Sequence, residues 1–183
     1  SCVDATNPVV FLRAADLRVD ATALPQQLDA DSDLAVKIET IRRNAAVAMG
    51  MAPNTDAVLQ SNPKIGVVAP PAALPALDGN TIPASDMDVI IKMVSMENFH
   101  RAIPLSSSMC AAAAAAVPGT VVHEISANHA PLRIGTASGV IESRATVSQR
   151  DNGYHADSAA TSRTQRRLFQ GQLPVPDEWL SKL

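Results

Sequence analysis

The chain is poor in aromatic residues and in cysteine. Aromatic side chains make up 3% of its 183 residues, so a hydrophobic core must be packed from aliphatic side chains, methionine and alanine. The two cysteines, Cys2 and Cys110, lie far apart and match no metal-ligand spacing. So few cysteines favour a reducing compartment, and we expect the protein to be cytoplasmic.

Long runs of one kind of residue are also lacking. No apolar run approaches the roughly 20 residues that a membrane-spanning helix needs, and we expect no signal peptide. The 15 basic and 18 acidic residues leave a net charge of −3, and no long basic run is present. The densest basic group contains Arg163, Arg166 and Arg167, which we expect on a solvated helix face. The sequence therefore predicts a protein that binds neither membranes nor nucleic acid.

The motifs of several common enzyme classes are missing. The sequence contains no Walker loop, no Gly-x-Gly-x-x-Gly motif and no Gly-x-Ser-x-Gly elbow. Its histidines lack the i, i+4 spacing of a zinc site, so we predict no metal. A catalytic triad of Ser107 with His100 or His123 could be assembled, but no spacing favours it. Cys110 is expected to behave as a small core hydrophobe rather than as a nucleophile.

The most informative stretch is a serine-rich segment that runs into alanines. Ser106, Ser107 and Ser108 come shortly before six consecutive alanines, and Pro118-Gly119 follows. Serine favours helix N-caps, alanine favours helix interiors, and Pro-Gly ends helices. The pattern predicts a helix over residues 107–117 that has no charged face and is therefore buried. Its N-terminus could bind an anion through free N–H groups and the helix dipole, or the serines could be caps alone.

Short strands and two further helices are predicted around this central helix. The interrupted strand 3–13 contains Asn7-Pro8, where proline cannot donate to a ladder. A helix begins near Asp31, because apolar residues at 34, 38, 41 and 45 follow it at helical spacing. Helices and strands do not alternate regularly, which indicates an α+β fold. The remaining predicted elements are strands at 64–69, 88–96, 120–125, 132–135 and 140–147, and a helix at 159–170.

The chain opens directly in a strand-like pattern at Ser1, without an initiator methionine. We therefore expect it to be a piece of a longer protein.

Several segments resemble the PrpF family, and they run in order along nearly the whole chain. They are residues 4–11, 63–71, 95–102, 108–111, 118–123, 134–141 and 163–168. The resemblance implies a diaminopimelate-epimerase-like fold, in which each of two similar halves is a short-stranded β-barrel around a central buried helix. Residues 1–183 correspond to the C-terminal half. The expected partners are the N-terminal half of the same protein and a small-molecule substrate, and the whole protein could form homo-oligomers.

The family also implies an activity. Its members act without cofactors on unsaturated di- and tricarboxylates such as 2-methylaconitate, aconitate or oxalomesaconate, and they shift a double bond by 1,3-proton transfer. We therefore expect an isomerase or tautomerase. An epimerase of another small acid and a catalytically silent binding module remain open as alternatives. The Lys and Cys that move the proton in the family would belong to the N-terminal half, so no catalytic residue is assigned in this chain.

The resemblance assigns substrate-binding residues. Laid on residues 104–111, the epimerase motif Ala-Cys-Gly-Ser-Gly-Ala-Cys-Ala places its catalytic Cys on Leu105 and its second Cys on Cys110. The missing thiol argues against racemisation of amino acids. Thr136-Ala137 also departs from the His-Pro that the family usually has before Ser-Gly. We expect Ser106–Ser108 to hold a substrate carboxylate, chiefly through backbone N–H groups. The full set of candidate substrate-binding residues is Asn7, His100, Arg101, Ser106, Ser107, Ser108, Met109, Ser138 and Gly139.

Overall fold

Aliphatic strands form one curled sheet with a hydrophobic layer on each face. The computed structural model describes residues 1–127, 130–151, 153–164, 166–172 and 174–176. The strands are β1 (Cys2–Asp4), β2 (Pro8–Arg13), β3 (Lys64–Ala69), β4 (Leu74–Pro75), β5 (Thr81–Ile82), β6 (Val89–Ser95), β7 (Asn98–Phe99), β8 (Leu132–Thr136), β9 (Gly139–Arg150) and β10 (Gly153–Thr161). The α-helices are α1 (Ala14–Leu17), α2 (Pro25–Asp29), α3 (Ser32–Ala48), α4 (Leu105–Ala115) and α5 (Val121–Ser126).

The main sheet has the strand order β1-β2-β3-β6-β8-β9-β10, and β7 pairs with β6. Two pairs are parallel, β2 with β3 and β6 with β8, and the other pairs are antiparallel. The short strands β4 and β5 form a separate antiparallel pair. This mixture of strands and helices is the predicted α+β class.

Helix α4 lies inside the curl of the main sheet. It contacts β1 and β10, the first and last strands of the sheet, as well as β2, β8 and β9. A flat sheet could not bring both edges to one helix, so the sheet forms a half-barrel around α4. The predicted buried central helix is confirmed, and its alanine side chains, from Ala111 to Ala115, are 5% exposed or less.

Alternation along the strands separates the two hydrophobic layers. In β2, Val9 and Phe11 belong to the inner layer around α4, whereas Val10 belongs to the outer layer beneath α3. The outer layer includes Leu34 and Ile38 of α3. The predicted start of α3 is confirmed, because the side chain of its N-cap residue Asp31 accepts a hydrogen bond from the Leu34 N–H at 2.9 Å.

The strand predicted over residues 120–125 is wrong, since α5 begins at Val121. Four β-branched residues suggested a strand. In the structure Thr120 is the N-cap: its hydroxyl accepts a hydrogen bond from the His123 N–H at 3.2 Å and donates one to the Ala114 carbonyl at 2.6 Å. This capping contact anchors α5 to the end of α4, and it outweighs the weak strand preference.

The helix predicted over residues 159–170 is wrong as well. Strand β10 continues to Thr161 and pairs with β9, so that Ala159, Ala160 and Thr161 lie opposite Ala145, Arg144 and Ser143. None of the described residues from 162 to 170 is helical, and Gln165 lies outside the described residues. The predicted irregular connection over residues 14–31 contains the short helices α1 and α2.

Candidate functional site

The N-terminus of α4 is arranged differently from the prediction. Its N-cap is Pro104, with φ −59° and ψ 144°, and the Pro104 side chain makes no capping hydrogen bond. The expected role of the serines as N-caps is therefore wrong. The helix starts at Leu105, directly after Pro104. Ser106, Ser107 and Ser108 therefore lie within its first turn.

Three backbone donors at this helix end have no acceptor within the part of the chain that the structure describes. Among the described residues, the N–H groups of Leu105, Ser106 and Ser107 donate no hydrogen bond. The N–H of Ser108 donates to the Pro104 carbonyl at 2.9 Å, so it is already used. Three free N–H groups at the positive end of a helix dipole form a site suited to a carboxylate.

A second, independent feature at the same place is an unpaired hydroxyl. Ser107 is 0% exposed, and its Oγ has no hydrogen-bond partner within the described part of the chain. Burial of an unpaired polar group costs about 1–3 kcal/mol. Buried polar groups are normally hydrogen-bonded, so this hydroxyl indicates a place where a polar ligand or water belongs.

Asn7 contributes another unpaired donor beside α4. Its Nδ2 is buried and has no partner among the described residues. The loop that carries it packs on the start of α4, because the Thr6 hydroxyl donates to the Ser106 carbonyl at 2.6 Å and the Cys110 Sγ lies 3.6 Å from the Val3 carbonyl oxygen. The loop between β1 and β2 therefore brings the predicted residue Asn7 to the first two turns of α4.

The hydroxyl of Ser108, unlike that of Ser107, is already hydrogen-bonded within the protein. Its hydroxyl donates to the Leu105 carbonyl at 2.9 Å and lies 3.0 Å from the hydroxyl of Ser143. The Ser143 hydroxyl in turn lies 3.0 Å from that of Thr161. These contacts form a chain of hydroxyls that ties the first turn of α4 to β9 and to the end of β10.

A groove of about 590 Å³ lies next to this helix end. Ile103, which precedes the N-cap, lines it together with the predicted residues Ser138 and Gly139. The turn between β8 and β9 is closed by Thr136, whose hydroxyl donates to the Gly139 carbonyl at 2.8 Å. Thr136 thus closes the turn where the family usually has His, and Ser138 remains exposed to the groove.

The groove is also lined by Arg163, which is not among the predicted site residues. The sequence pattern predicted Arg163 on a solvated helix face. Because β10 continues as a strand to Thr161, the chain instead leaves the sheet at the groove. The antiparallel pairing of β10 with β9 was the missing information, and only a correct strand prediction for residues 153–161 could have supplied it.

Three other predicted residues, His100, Arg101 and Met109, do not line the groove. His100 and Arg101 are exposed in the segment between β7 and Pro104, and the His100 N–H donates to the Met93 carbonyl at 2.8 Å. Met109 is half-buried in the second turn of α4. None of these three lines the groove. The structure therefore brings Asn7, Ser106 and Ser107 to the helix end and Ser138 and Gly139 to the groove.

Cys110 is buried in the inner core, as expected. Burial raises the pKa of its thiol to about 11. A thiol with this pKa stays protonated at neutral pH, so Cys110 is poorly suited to act as a base.

The described residues contain no cluster of His, Cys, Asp and Glu that could bind a metal ion. None of their helices combines the length and the apolar character that crossing a membrane requires.

A family model described as "PrpF protein" matches residues 1–176. The chain belongs to the PrpF family.

Named relatives of this PrpF chain are isomerases. It is 32% identical over 178 residues to a 2-methyl-aconitate isomerase from Shewanella oneidensis, covering 95% of the chain and 45% of the relative. It is 30% identical over 182 residues to a 3-methylitaconate isomerase from Eubacterium barkeri, covering 96% and 47%. The crystal structure of a methylitaconate-delta-isomerase superposes with a TM-score of 0.77 at 27% identity, covering 89% of this chain and 44% of that one.

The chain thus spans about half the length of the curated relatives it matches. The similarity to the solved isomerase confirms the diaminopimelate-epimerase-like fold that the resemblance implied.

Proposed function

We propose that this chain is the C-terminal half of a cofactor-free isomerase that shifts a carbon–carbon double bond in unsaturated di- or tricarboxylates. The observation that carries the proposal is the N-terminus of α4, where three N–H groups and the buried Ser107 hydroxyl lack partners within the described residues. The names of the relatives, which include an oxalomesaconate isomerase from Novosphingobium, support the same substrate class.

The reaction suits such a site. A base removes a proton from the carbon next to the double bond, and the electron pair spreads through the double bond to the carboxylate, which takes on enolate character. A proton then returns at the other end of the three-carbon unit, so that the double bond has moved and no atom is gained or lost. Donors fixed in advance at the charged oxygens stabilise this transition state, and one such donor contributes roughly 3 kcal/mol in comparable sites.

The residues that transfer the proton are not assigned to this chain. Cys110 is held as a protonated core thiol by burial, and the family resemblance lays Leu105 on the position of the epimerase thiol. We therefore propose that this half binds the carboxylate, and that the proton-transferring groups lie in an N-terminal half which faces the start of α4. The two halves would form the substrate cleft together.

Substitutions at Ser107 test the carboxylate site. In the full-length protein, Ser107→Ala should weaken binding of aconitate only mildly, because backbone donors remain and one neutral hydrogen bond contributes about 1 kcal/mol. Ser107→Asp places a negative charge beside the bound carboxylate and should weaken binding about tenfold or more. Ser106→Asp, at a half-buried position, should act in the same direction if the buried variant folds poorly.

Isothermal titration calorimetry with aconitate measures these affinities, and circular dichroism checks folding. The matched control is Ser32→Asp, which adds the same charge at the exposed start of α3, on the other face of the sheet. Unchanged affinity in folded Ser106→Asp and Ser107→Asp would place the carboxylate site elsewhere.

A further inference from the structure

Arg163 is a cation that lies in the groove beside α4. It lines the groove beside α4 together with Ser138, and it has no ion pair or hydrogen bond within the described part of the chain. The cation Arg133, in contrast, is bound to the buried Asp88, with its Nη2 2.6 Å from the Asp88 Oδ1. Arg163 is therefore a cationic residue of the groove lining whose side chain has no partner among the described residues.

A chain of hydroxyl contacts connects the first turn of α4 to the end of β10, two residues before Arg163. Ser108, in the first turn of α4, contacts Ser143, and Ser143 contacts Thr161, each over 3.0 Å. The Thr161 hydroxyl also donates to the Glu142 carbonyl at 2.9 Å, which fixes the end of β10 against β9. Arg163 follows two residues later, so its backbone leaves the sheet from a point connected to the carboxylate-binding end of α4.

The groove contains one opposing charge. Glu142 lines it too; this residue is exposed, lies opposite Arg133 in the β8–β9 pair, and forms no ion pair with Arg163 among the described contacts. A ligand with a carboxylate in this groove would be attracted by Arg163 and repelled by Glu142. A second ligand carboxylate in this groove can therefore be tested with two substitutions. Removing the charge of Arg163 should weaken binding, and removing the charge of Glu142 should strengthen it.

We propose that Arg163 binds a second carboxylate of the substrate and determines specificity for polycarboxylates. This inference rests on the proposed function, in which the first carboxylate lies on the free N–H groups of α4. Arginine suits the task because its planar guanidinium can donate two parallel hydrogen bonds to one carboxylate. The exposed hydroxyl of Ser138 lines the same groove and is a further donor for that carboxylate.

The test compares three ligands that differ in carboxylate number. Binding of aconitate (three carboxylates), itaconate (two) and crotonate (one) to the full-length protein is measured by calorimetry. Arg163→Gln should weaken aconitate and itaconate roughly ten- to a hundredfold, the effect of losing a charge-assisted hydrogen bond, and leave crotonate unchanged. The affinity of Arg163→Lys for aconitate and itaconate should lie between those of wild type and Arg163→Gln. Lysine keeps the positive charge but cannot donate two parallel hydrogen bonds to one carboxylate.

Two controls sharpen the test. Glu142→Gln should tighten aconitate by a factor of about three to ten, since it removes a like charge. Arg167→Gln removes an arginine of the same segment whose Nη1 donates to Gln170 at 3.0 Å and which does not line the groove, so it should change no affinity. Arg163 is exposed, and its substitution should leave the circular dichroism spectrum unchanged.

The outcomes separate the two proposals. If wild type binds aconitate and itaconate but Arg163→Gln binds them equally well, Arg163 is not the second carboxylate site and the proposed function stands. An equal loss for all three ligands also contradicts a role in specificity. If wild type binds none of the three, the proposed function itself fails, and the inference fails with it.

Discussion

Replacement of Lys92 by methionine should stabilise the protein at neutral pH. Lys92 lies in β6 and is 2% exposed in the outer core. Its Nζ has no hydrogen-bond partner within the described residues. Burial lowers the pKa of Lys92 from 10.5 to about 8, and the negative charge of Asp20 opposes this only in part. The native state therefore contains an ammonium group that has lost its hydration without gaining a full replacement.

The size of the effect follows from the pKa. Each factor of ten in proton affinity corresponds to 1.36 kcal/mol, so the lowered pKa means that the charged form is destabilised by about 3 kcal/mol in the native state. Below pH 8 both the native and the unfolded chain are protonated, and the full penalty applies. Between pH 8 and 10.5 the unfolded chain binds more protons, so the free energy of unfolding rises with pH. Above pH 10.5 both states are neutral and the penalty is gone.

Cys110 has the opposite effect over part of this range. Its pKa is raised from 9.0 to about 11, so between these values the unfolded thiol ionises first and stability falls as pH rises. The difference between wild type and Lys92→Met cancels this contribution. We expect Lys92→Met to be more stable by about 3 kcal/mol below pH 8, and the gap to close between pH 8 and 10.5.

Urea denaturation of the purified chain from pH 7 to 10.5, followed by circular dichroism, measures this gap. Lys37→Met, which removes an exposed cation from α3, is the matched control and should not stabilise the protein. If the stability difference for Lys92→Met is the same at every pH, or if wild type is the more stable protein at pH 7, the reasoning about the buried ammonium is refuted.

Three further substitutions probe packing and capping. Cys110→Ala should lower stability by about 1 kcal/mol through a small cavity and leave the isomerase rate of the full-length protein nearly intact; a rate loss of several orders of magnitude in a folded variant would make the thiol catalytic. Gly66→Ala would place its Cβ 2.8 Å from the Phe11 Cδ1 in the core, so urea denaturation should show a loss of about 1–3 kcal/mol, and an unchanged midpoint would mean that Phe11 moves freely. Asp31→Ala removes the N-cap of α3 and should cost about 1 kcal/mol in the same assay, whereas no loss would show that the 2.9 Å capping bond is not stabilising.

The elements predicted correctly are those whose local pattern and tertiary environment agree. The alanine run has no charged face, so a helix formed from it is stable only when buried. In the structure the sheet encloses α4. The apolar strand at residues 64–69 lies in the middle of the sheet, between β2 and β6. Asp31 and the apolar spacing after it specify α3 locally, and no distant contact was needed to place its start.

The wrong helix at residues 159–170 arose because a distant contact decided the structure there. Ala159 and Ala160 favour a helix by propensity, but pairing with β9 holds them in a strand. This one error also removed Arg163 from the candidate site. Ser107 was selected correctly as part of the helix end, yet its position inside the first turn depends on Pro104, which occupies the N-cap that a serine was expected to fill.

The most direct test of the central claim is proton NMR of double-bond migration. A panel of unsaturated di- and tricarboxylates, aconitate and itaconate among them, is incubated with the full-length protein and, separately, with the 183-residue chain. We expect the full-length protein to move the double bond of at least one panel member, and the chain alone to move none, because half a cleft holds the carboxylate without the groups that transfer the proton. Turnover by the chain alone, or no turnover of any panel member by the full-length protein, would contradict the account.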